Sequence, residues 1–314
     1  MTSPASPTAL VTGASTGLGY AIACGLAQAG YDLAATSRDV ARLDALLRDP
    51  AVQGRKVVPV RLDLRLEADI AQTFAAAVEA FGDIDVLVNN AARTLVKPAI
   101  EVTWAEWDDV VNTDLKGAYF MARTYAAHCI ARGRPGCVVN IASTHGMTGF
   151  AGRTVYGTAK GGLIQMTRML AIEWIGHNIR VNAVAPATAL TASRAKMYDD
   201  QTRERMLARI PTGRFITPEE VAAAVVFLAS PGGLDHRPDA GGGWRVYGEL
   251  AENESQLAYL PLDAPGCRAT RLCPVGGCAG DHRGASLAPR KMWAARPRRF
   301  RLENWHSTRR RHRP

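Results

Sequence analysis

Residues 8–30, TALVTGASTGLGYAIACGLAQAG, decide the fold. Residues 8–14 are an apolar run that leads into a glycine-rich turn, and residues 17–30 read as a helix closed by Gly30. Gly13, Gly17 and Gly19 fall where a chain passing from strand to helix can bend sharply and approach a phosphate with no Cβ in the way. The helix start adds unpaired N–H groups and the positive end of its dipole. Such glycines also occur in plain turns. Their position between the first strand and the first helix favours a dinucleotide cradle, with Ser15, Thr16 and Leu18 as its other members.

The alternation continues over the first 230 residues. Apolar strands are expected at 31–38 (YDLAATSR), 56–64 (KVVPVRLDL), 84–92 (IDVLVNNAA), 136–143 (GCVVNIAS) and 179–186 (IRVNAVAP). Helical stretches between them include 67–81 and 156–176. Near-continuous apolar strands separated by helices imply an α/β fold, a Rossmann-type doubly wound parallel sheet forming a single domain. Ligands of such a sheet sit beyond the carboxyl ends of its strands.

The 314 residues are 47% hydrophobic and 21% charged, which suits a large buried core. The longest apolar runs, such as VAAAVVFLA at 221–229, are too short to span a bilayer, and the first residues lack the marks of a signal peptide. No membrane partner and a cytoplasmic location are the default expectations. The six cysteines form no CxxC pair. Cys267, Cys273 and Cys278 lie near His282, but their spacing fits no common zinc module, so no metal is expected. Unpaired thiols suit a reducing compartment. Fifteen of the 38 Lys and Arg, but only eight of the 29 Asp and Glu, follow Gly233, so the tail carries +7 of the +9 net charge. The high pI belongs to that tail. The 1–233 domain is not read as a nucleic-acid binder; binding through the basic residues 292–314 is the weaker alternative.

The second strand ends Thr36-Ser37-Arg38. An acidic residue there would hold two ribose hydroxyls and repel a 2′-phosphate. Arg38 instead offers a guanidinium to a phosphate, which favours NADP(H) over NAD(H). The alternative is a solvated Arg38, with Asp39 as the ribose ligand. Tyr156 and Lys160 form a YxxxK pair, four positions apart on one helix face. A nearby ammonium favours a phenolate, which would suit Tyr156 to act as general acid or base. Alone, that spacing is a common chance match.

The pattern TGxxxGxG, combined with Ser143 thirteen positions before Tyr156, resembles the short-chain dehydrogenase/reductase family over about residues 8–230. The resemblance makes Ser143, Tyr156 and Lys160 the catalytic set, with Ser143 polarising a substrate carbonyl and Lys160 also reaching the nicotinamide ribose. It makes Asp63, with Leu64, an adenine contact, and Asn89, Asn90, Ala91 and Ala92 a variant of NNAG beside the adenosine. Pro186 and Thr188 fall in the segment that replaces the usual PG, and Thr191 matches a Thr that reaches the carboxamide and diphosphate. Val184 and Ala185 would lie near the nicotinamide. The family's fourth catalytic residue is an Asn that holds a water in a proton relay to the Lys; here Asp114 takes its place, and Asn112 comes two residues too early. Substrate-pocket candidates are His145, Met147, Phe150 and residues 192–209. Trp104 and Trp107 are expected at the helix surface or a subunit contact.

Residues 210–230 match the family's last helical region, after which members carry a strand similar to ITGQTLVVDGG. Here residues 235–244 read DHRPDAGGGW. One permissible spelling, GAT CAC CGG CCA GAC GCT GGT GGT GGA TGG, translates as ITGQTLVVDG once its first base is dropped. A reading-frame shift just before Asp235 is therefore the expectation, in the gene or its sequencing. It accounts for the Arg-rich, aperiodic residues 234–314, read as a basic loop or disordered tail. Such a chain would lack its last strand, expose an edge and apolar surface, and assemble weakly. The resulting reading is an NADP(H)-dependent oxidoreductase that interconverts a small carbonyl and alcohol, forming a homodimer or homotetramer if the C-terminus is native. Asp114 and the tail motivate the alternative, an impaired or inactive cofactor-binding relative. The sequence does not specify the substrate.

Overall fold

The computed structural model describes residues 6–191, 199–208, 210, 212–231 and 246–247. All lie in the first of two units, residues 1–267; residues 268–314 lie outside the described set. The strands are β1 (Thr8–Val11), β2 (Asp32–Ser37), β3 (Val57–Arg61), β4 (Val86–Asn89), β5 (Gly136–Ile141), β6 (Ile179–Val184) and β7 (Val246–Tyr247). They pair in the order β3-β2-β1-β4-β5-β6-β7, every pair parallel. The order reverses between β1 and β4, which opens a crevice at their carboxyl ends.

Each strand alternates its side chains between the two faces. Ala9 and Val11 of β1, Leu33 and Ala35 of β2, and Val86 and Val88 of β4 pack with helices α1 (Gly17–Gln28) and the last helix, Pro218–Ala229. Leu10, Ala34 and Leu87 point the other way, toward α3 (Glu67–Phe81), the helix Ala118–Ala131 and the helix Thr154–Trp174. Apolar residues are needed at successive strand positions because both faces are covered. A short α2 (Asp44–Leu47) follows β2, and α4 (Trp104–Val111) opens on a capping box between Thr103 and Glu106. From there the chain runs through a π-helical turn, Asn112–Gly117, into α5 (Ala118–Ala131), then on to α6 (Thr154–Trp174), α7 (Asp200–Leu207) and α8 (Pro218–Ala229).

The expected strands overrun the observed ones mainly at their carboxyl ends. Residues 12–14, 62–64, 90–92 and 142–143 leave the ladder to build loops above the sheet. The expectation of a missing last strand is corrected: Val246 and Tyr247 pair with Ala183 and Val184 as a two-residue β7. Residues 232–245 and 248–314, with the frame break and the Cys267, Cys273, Cys278 and His282 group, lie outside the described residues.

Candidate active site

Two loops and the end of β2 meet at the reversal point. Thr12 Oγ1 accepts the N–H groups of Asn90 (2.9 Å) and Ala91 (3.0 Å). The Asn90 amide donates back to the Thr12 carbonyl at 2.9 Å and the Gly13 carbonyl at 3.2 Å. Gly13 N–H donates to Thr36 Oγ1 at 3.2 Å, and Ala14 N–H to the Thr36 carbonyl at 2.9 Å. The loops after β1 and β4 and the end of β2 are thus bonded into one cradle. Gly13 and Gly17 sit at φ +69° and +61°, and a Cβ on Gly19 would run into the Gly13 carbonyl and the Asn90 amide. Thr16 precedes α1 without a side-chain capping bond, and the first turn of α1 carries no acidic residue. Its N–H groups are left to an anion, the chemistry a dinucleotide pyrophosphate requires.

One cavity of about 390 Å³ lies over this cradle. It is lined by Gly13, Ser15, Thr16, Gly17, Leu18, Gly19, Ser37, Arg38, Asp63, Leu64, Asn90, Ala91, Ala92, Pro186, Thr188 and Thr191, and also by Ser143, Tyr156 and Lys160. All of these cofactor candidates and three of the four expected catalytic residues therefore share one space, whereas Asn89, buried at the end of β4, does not line it. Arg42 joins Arg38 there. Asp39, the alternative ribose ligand, instead accepts Ala41 N–H at 3.1 Å to start a short 3₁₀ helix and does not line the cavity. Asp63 is gripped by Arg65, whose Nε and NH2 reach its two oxygens at 2.9 and 2.6 Å. That hydrogen bonding holds the Asp63 carboxyl below its usual range.

Ser143 lies just past β5, and Tyr156 and Lys160 are one turn apart on α6. All three are buried, at 6%, 7% and 2% exposure. The close approach depends on glycine: a Cβ on Gly157 would lie 2.9 Å from the His145 carbonyl, and one on Gly146 would lie 2.7 Å from Gly161 N. The loop after β5 can therefore press against α6 and set Ser143 beside the helix. Ser143 Oγ accepts His145 N–H at 3.2 Å and lies 3.2 Å from His145 Nδ1. The His145 ring meets the Tyr156 ring edgewise, centroids 6.0 Å apart. Lys160 Nζ is 5.7 Å from the centre of the Tyr156 ring and donates to the Ile141 carbonyl at 2.8 Å.

Asp114 stands behind Lys160 and does not line the cavity. The π-helical turn carries it inward, with 1% of its surface exposed. Its Oδ1 accepts Arg93 N–H at 2.6 Å, and its Oδ2 faces Lys160 Nζ at 3.6 Å, an ion-pair distance too long for a hydrogen bond. Burial pushes the Asp114 carboxyl above its usual range, partly offset by the Lys160 ammonium.

Several pocket expectations are corrected. Val184 and Ala185 are buried in the sheet and do not reach the cavity; Pro186 and Ala187, further along, do. Their apolar side chains fill the core before the chain emerges above β6. Met147 and Phe150 are 44% and 51% exposed and lie off the cavity, although Phe150 packs edgewise on His145, centroids 5.3 Å apart. His145 does line it. Residues 192–198 and 209 lie outside the described set, and none of residues 199–208 lines the cavity. Trp104 and Trp107 are 86% and 38% exposed. Sequence reasoning quoted Thr12 and Thr36 within their motifs without a bonding role, and missed Arg42, Arg93 and Asn140. Asn140 bridges the buried Asn89 amide (3.0 Å) and Thr167 hydroxyl (2.9 Å) beneath the site. A polar residue inside an apolar strand was the one available signal for Asn140.

The chain is similar to known proteins over most of its length. The family model for enoyl-(acyl carrier protein) reductase matches residues 13–233. The chain is 38% identical to 2-dehydro-3-deoxy-D-gluconate 5-dehydrogenase of Escherichia coli over 71% of this chain and 87% of that one. A solved structure of a candidate short-chain alcohol dehydrogenase from Sinorhizobium meliloti superposes with TM-score 0.68 at 40% identity, covering 72% of this chain and 90% of that one. A candidate NAD(P)-dependent gluconate 5-dehydrogenase from Beutenbergia cavernae, solved with NADP at low occupancy, gives 0.66 at 37% identity, with 73% and 91% covered. The chain belongs to the short-chain dehydrogenase/reductase family. It is an NAD(P)-dependent oxidoreductase of alcohol and carbonyl groups. No helix among the described residues is long and apolar enough to cross a membrane.

Proposed function

We propose that the chain is an NADP(H)-dependent reductase and dehydrogenase in which Tyr156 exchanges the proton of the substrate oxygen. The carrying observation is that Ser143, Tyr156 and Lys160 line the same cavity as the glycine cradle. When bound, the nicotinamide donates or accepts the hydride. Gly13, Ser15, Thr16, Gly17, Leu18 and Gly19 cradle the pyrophosphate. Asp63, Leu64, Asn90, Ala91 and Ala92 flank the adenosine, and Pro186, Thr188 and Thr191 flank the nicotinamide. Arg38, with Arg42 beside it and Ser37 next to it, supplies the positive charge that a 2′-phosphate needs. Ser143 donates to the substrate carbonyl oxygen, Tyr156 gives or takes its proton, and the Lys160 ammonium favours the charged form of that oxygen. Asp114 acts through Lys160, since it does not reach the cavity.

Residues 1–233 make up the catalytic domain, and residues 234–314 are its out-of-frame continuation. Free thiols at Cys24, Cys129 and Cys137 suit a cytoplasmic enzyme. Exposed Ile100, Trp104, Met169 and Ile172 suit a homodimer or homotetramer. The test is a cofactor-consumption screen of purified chain with NADPH and NADH. Its carbonyl panel is headed by keto-sugar acids, given the relatives' names, and extends to sugars and small ketones. Faster turnover with NADPH is expected. Binding without turnover of any member would favour the impaired relative, for which Asp114 is the motivating residue.

A further inference from the structure

Asp114 is a carboxylate where an amide would have filled the same space. The π-helical turn that carries it is held against α6: a Cβ on Gly162 would lie 2.8 Å from Leu115 Cδ2, so the two backbones approach closely. Two hydrogen bonds and one ion-pair contact define its setting. Arg93 N–H fixes Oδ1, the Ile141 carbonyl anchors Lys160 Nζ, and Oδ2 is left facing Nζ at 3.6 Å. No hydrogen-bond donor reaches Oδ2, so the ammonium is its nearest compensation. From the loop after β4, the Arg93 guanidinium is bound by Asp109 of α4 at 2.5 Å. From α6 come Lys160 and Tyr156, and from the loop after β5 comes His145, whose ring lies against Tyr156. Asp114 and Lys160 thus form a buried pair, with side chains 0% and 3% exposed, behind the phenol.

We infer that Asp114 is a charge partner of Lys160, whose proton state sets how strongly the ammonium draws negative charge onto the Tyr156 oxygen. With Asp114 ionised, the pair is neutral and its pull on the phenol is weak. With Asp114 protonated, or replaced by an amide, the ammonium acts uncompensated. In a buried site such a unit charge is barely screened. Proton acceptance by Tyr156, needed for alcohol oxidation, then begins at higher pH in this chain than in one carrying Asn. Proton donation, needed for carbonyl reduction, persists to higher pH by the same amount. The inference rests on the proposed role of Tyr156.

Two measurements test it. The first needs neither cofactor nor substrate: 13C NMR titration of aspartate carboxyls in the whole chain, with the Asp114 resonance assigned by its loss in Asp114→Asn. Asp114 is expected to titrate above the surface aspartates, and higher still in Lys160→Met, where the ammonium is gone. Indifference of Asp114 to Lys160→Met would overturn the inference while leaving the oxidoreductase reading intact. The second is the pH profile of alcohol oxidation on any substrate the screen finds. Asp114→Asn should reach half-maximal rate at a pH lower by about one unit. A merely structural Asp114 would change the rate and leave the profile in place, and superimposable profiles would overturn the inference.

Discussion

At the residue scale, the site rests on side chains whose spacing carries their chemistry. Tyr156 and Lys160 are legible because a helix returns to the same face after four residues, and Gly13, Gly17 and Gly19 because a strand-to-helix turn demands them. Thr12, Thr36 and Arg93 are not legible. Their bonds join segments 21 to 79 positions apart, and only the fold makes them neighbours. Arg38 lies between these cases, since its sequence position suggested a phosphate ligand and Asp39 competed with it. Asp39 is occupied at Ala41 N–H, which leaves Arg38 and Arg42 as the charged groups at the end of β2. A charge-assisted hydrogen bond contributes about 1.5–3 kcal/mol. Arg38→Ala should therefore weaken NADPH binding by about 10–100-fold and leave NADH binding nearly unchanged, read by fluorescence titration of each cofactor. Equal losses for both cofactors would show that Arg38 does not read the phosphate.

Among the elements, α1 and α3 were legible nearly to their ends because apolar periodicity over three or more turns runs up to a closing glycine in each. The π-helical turn was not, since one extra residue in a helix breaks the 3.6-residue pattern without leaving a signature. That turn is what swings Asp114 behind Lys160, so the least legible element holds the most unusual residue of the site. Helices α4 and α8 open on capping boxes, Thr103 with Glu106 and Thr217 with Glu220. The Thr103 N–H lowers the Glu106 carboxyl from 4.5 to about 2, with Lys97 adding to the effect. Arg214 lowers Glu220 from 4.5 to about 2, helped by the Thr217 N–H. Both groups hold protons more weakly folded than unfolded, so their stabilisation is complete above about pH 4.5 and disappears as pH falls through about 2. Urea midpoints should fall across that window, and Glu220→Gln should flatten part of the fall. A variant with the native slope would mean that the box does not form in solution.

For the molecule as a whole, the doubly wound sheet was readable because parallel strands buried on both faces must be apolar throughout. The last strand was not, because residues 234 onward do not match the strand that family members carry there. Among the described residues, the β6 edge is met by Val246 and Tyr247 alone. Removing one base before codon 235 should restore a full strand and raise both the melting temperature and the assembly state. A gain of 2 kcal/mol corresponds to roughly 4–8 °C for a domain of this size. A coding sequence that cannot spell ITGQTLVVDG in the shifted frame would end that account. The enzyme assignment itself is independent of the tail, since the cradle and the Ser143, Tyr156 and Lys160 group lie within residues 13–191. Its most direct test compares NADPH-linked turnover and NADPH affinity in native chain and Tyr156→Phe. The predicted result is turnover lower by about 10²–10⁴-fold with affinity unchanged. Native-level turnover without the phenol, or no NADPH binding by either chain, would contradict it.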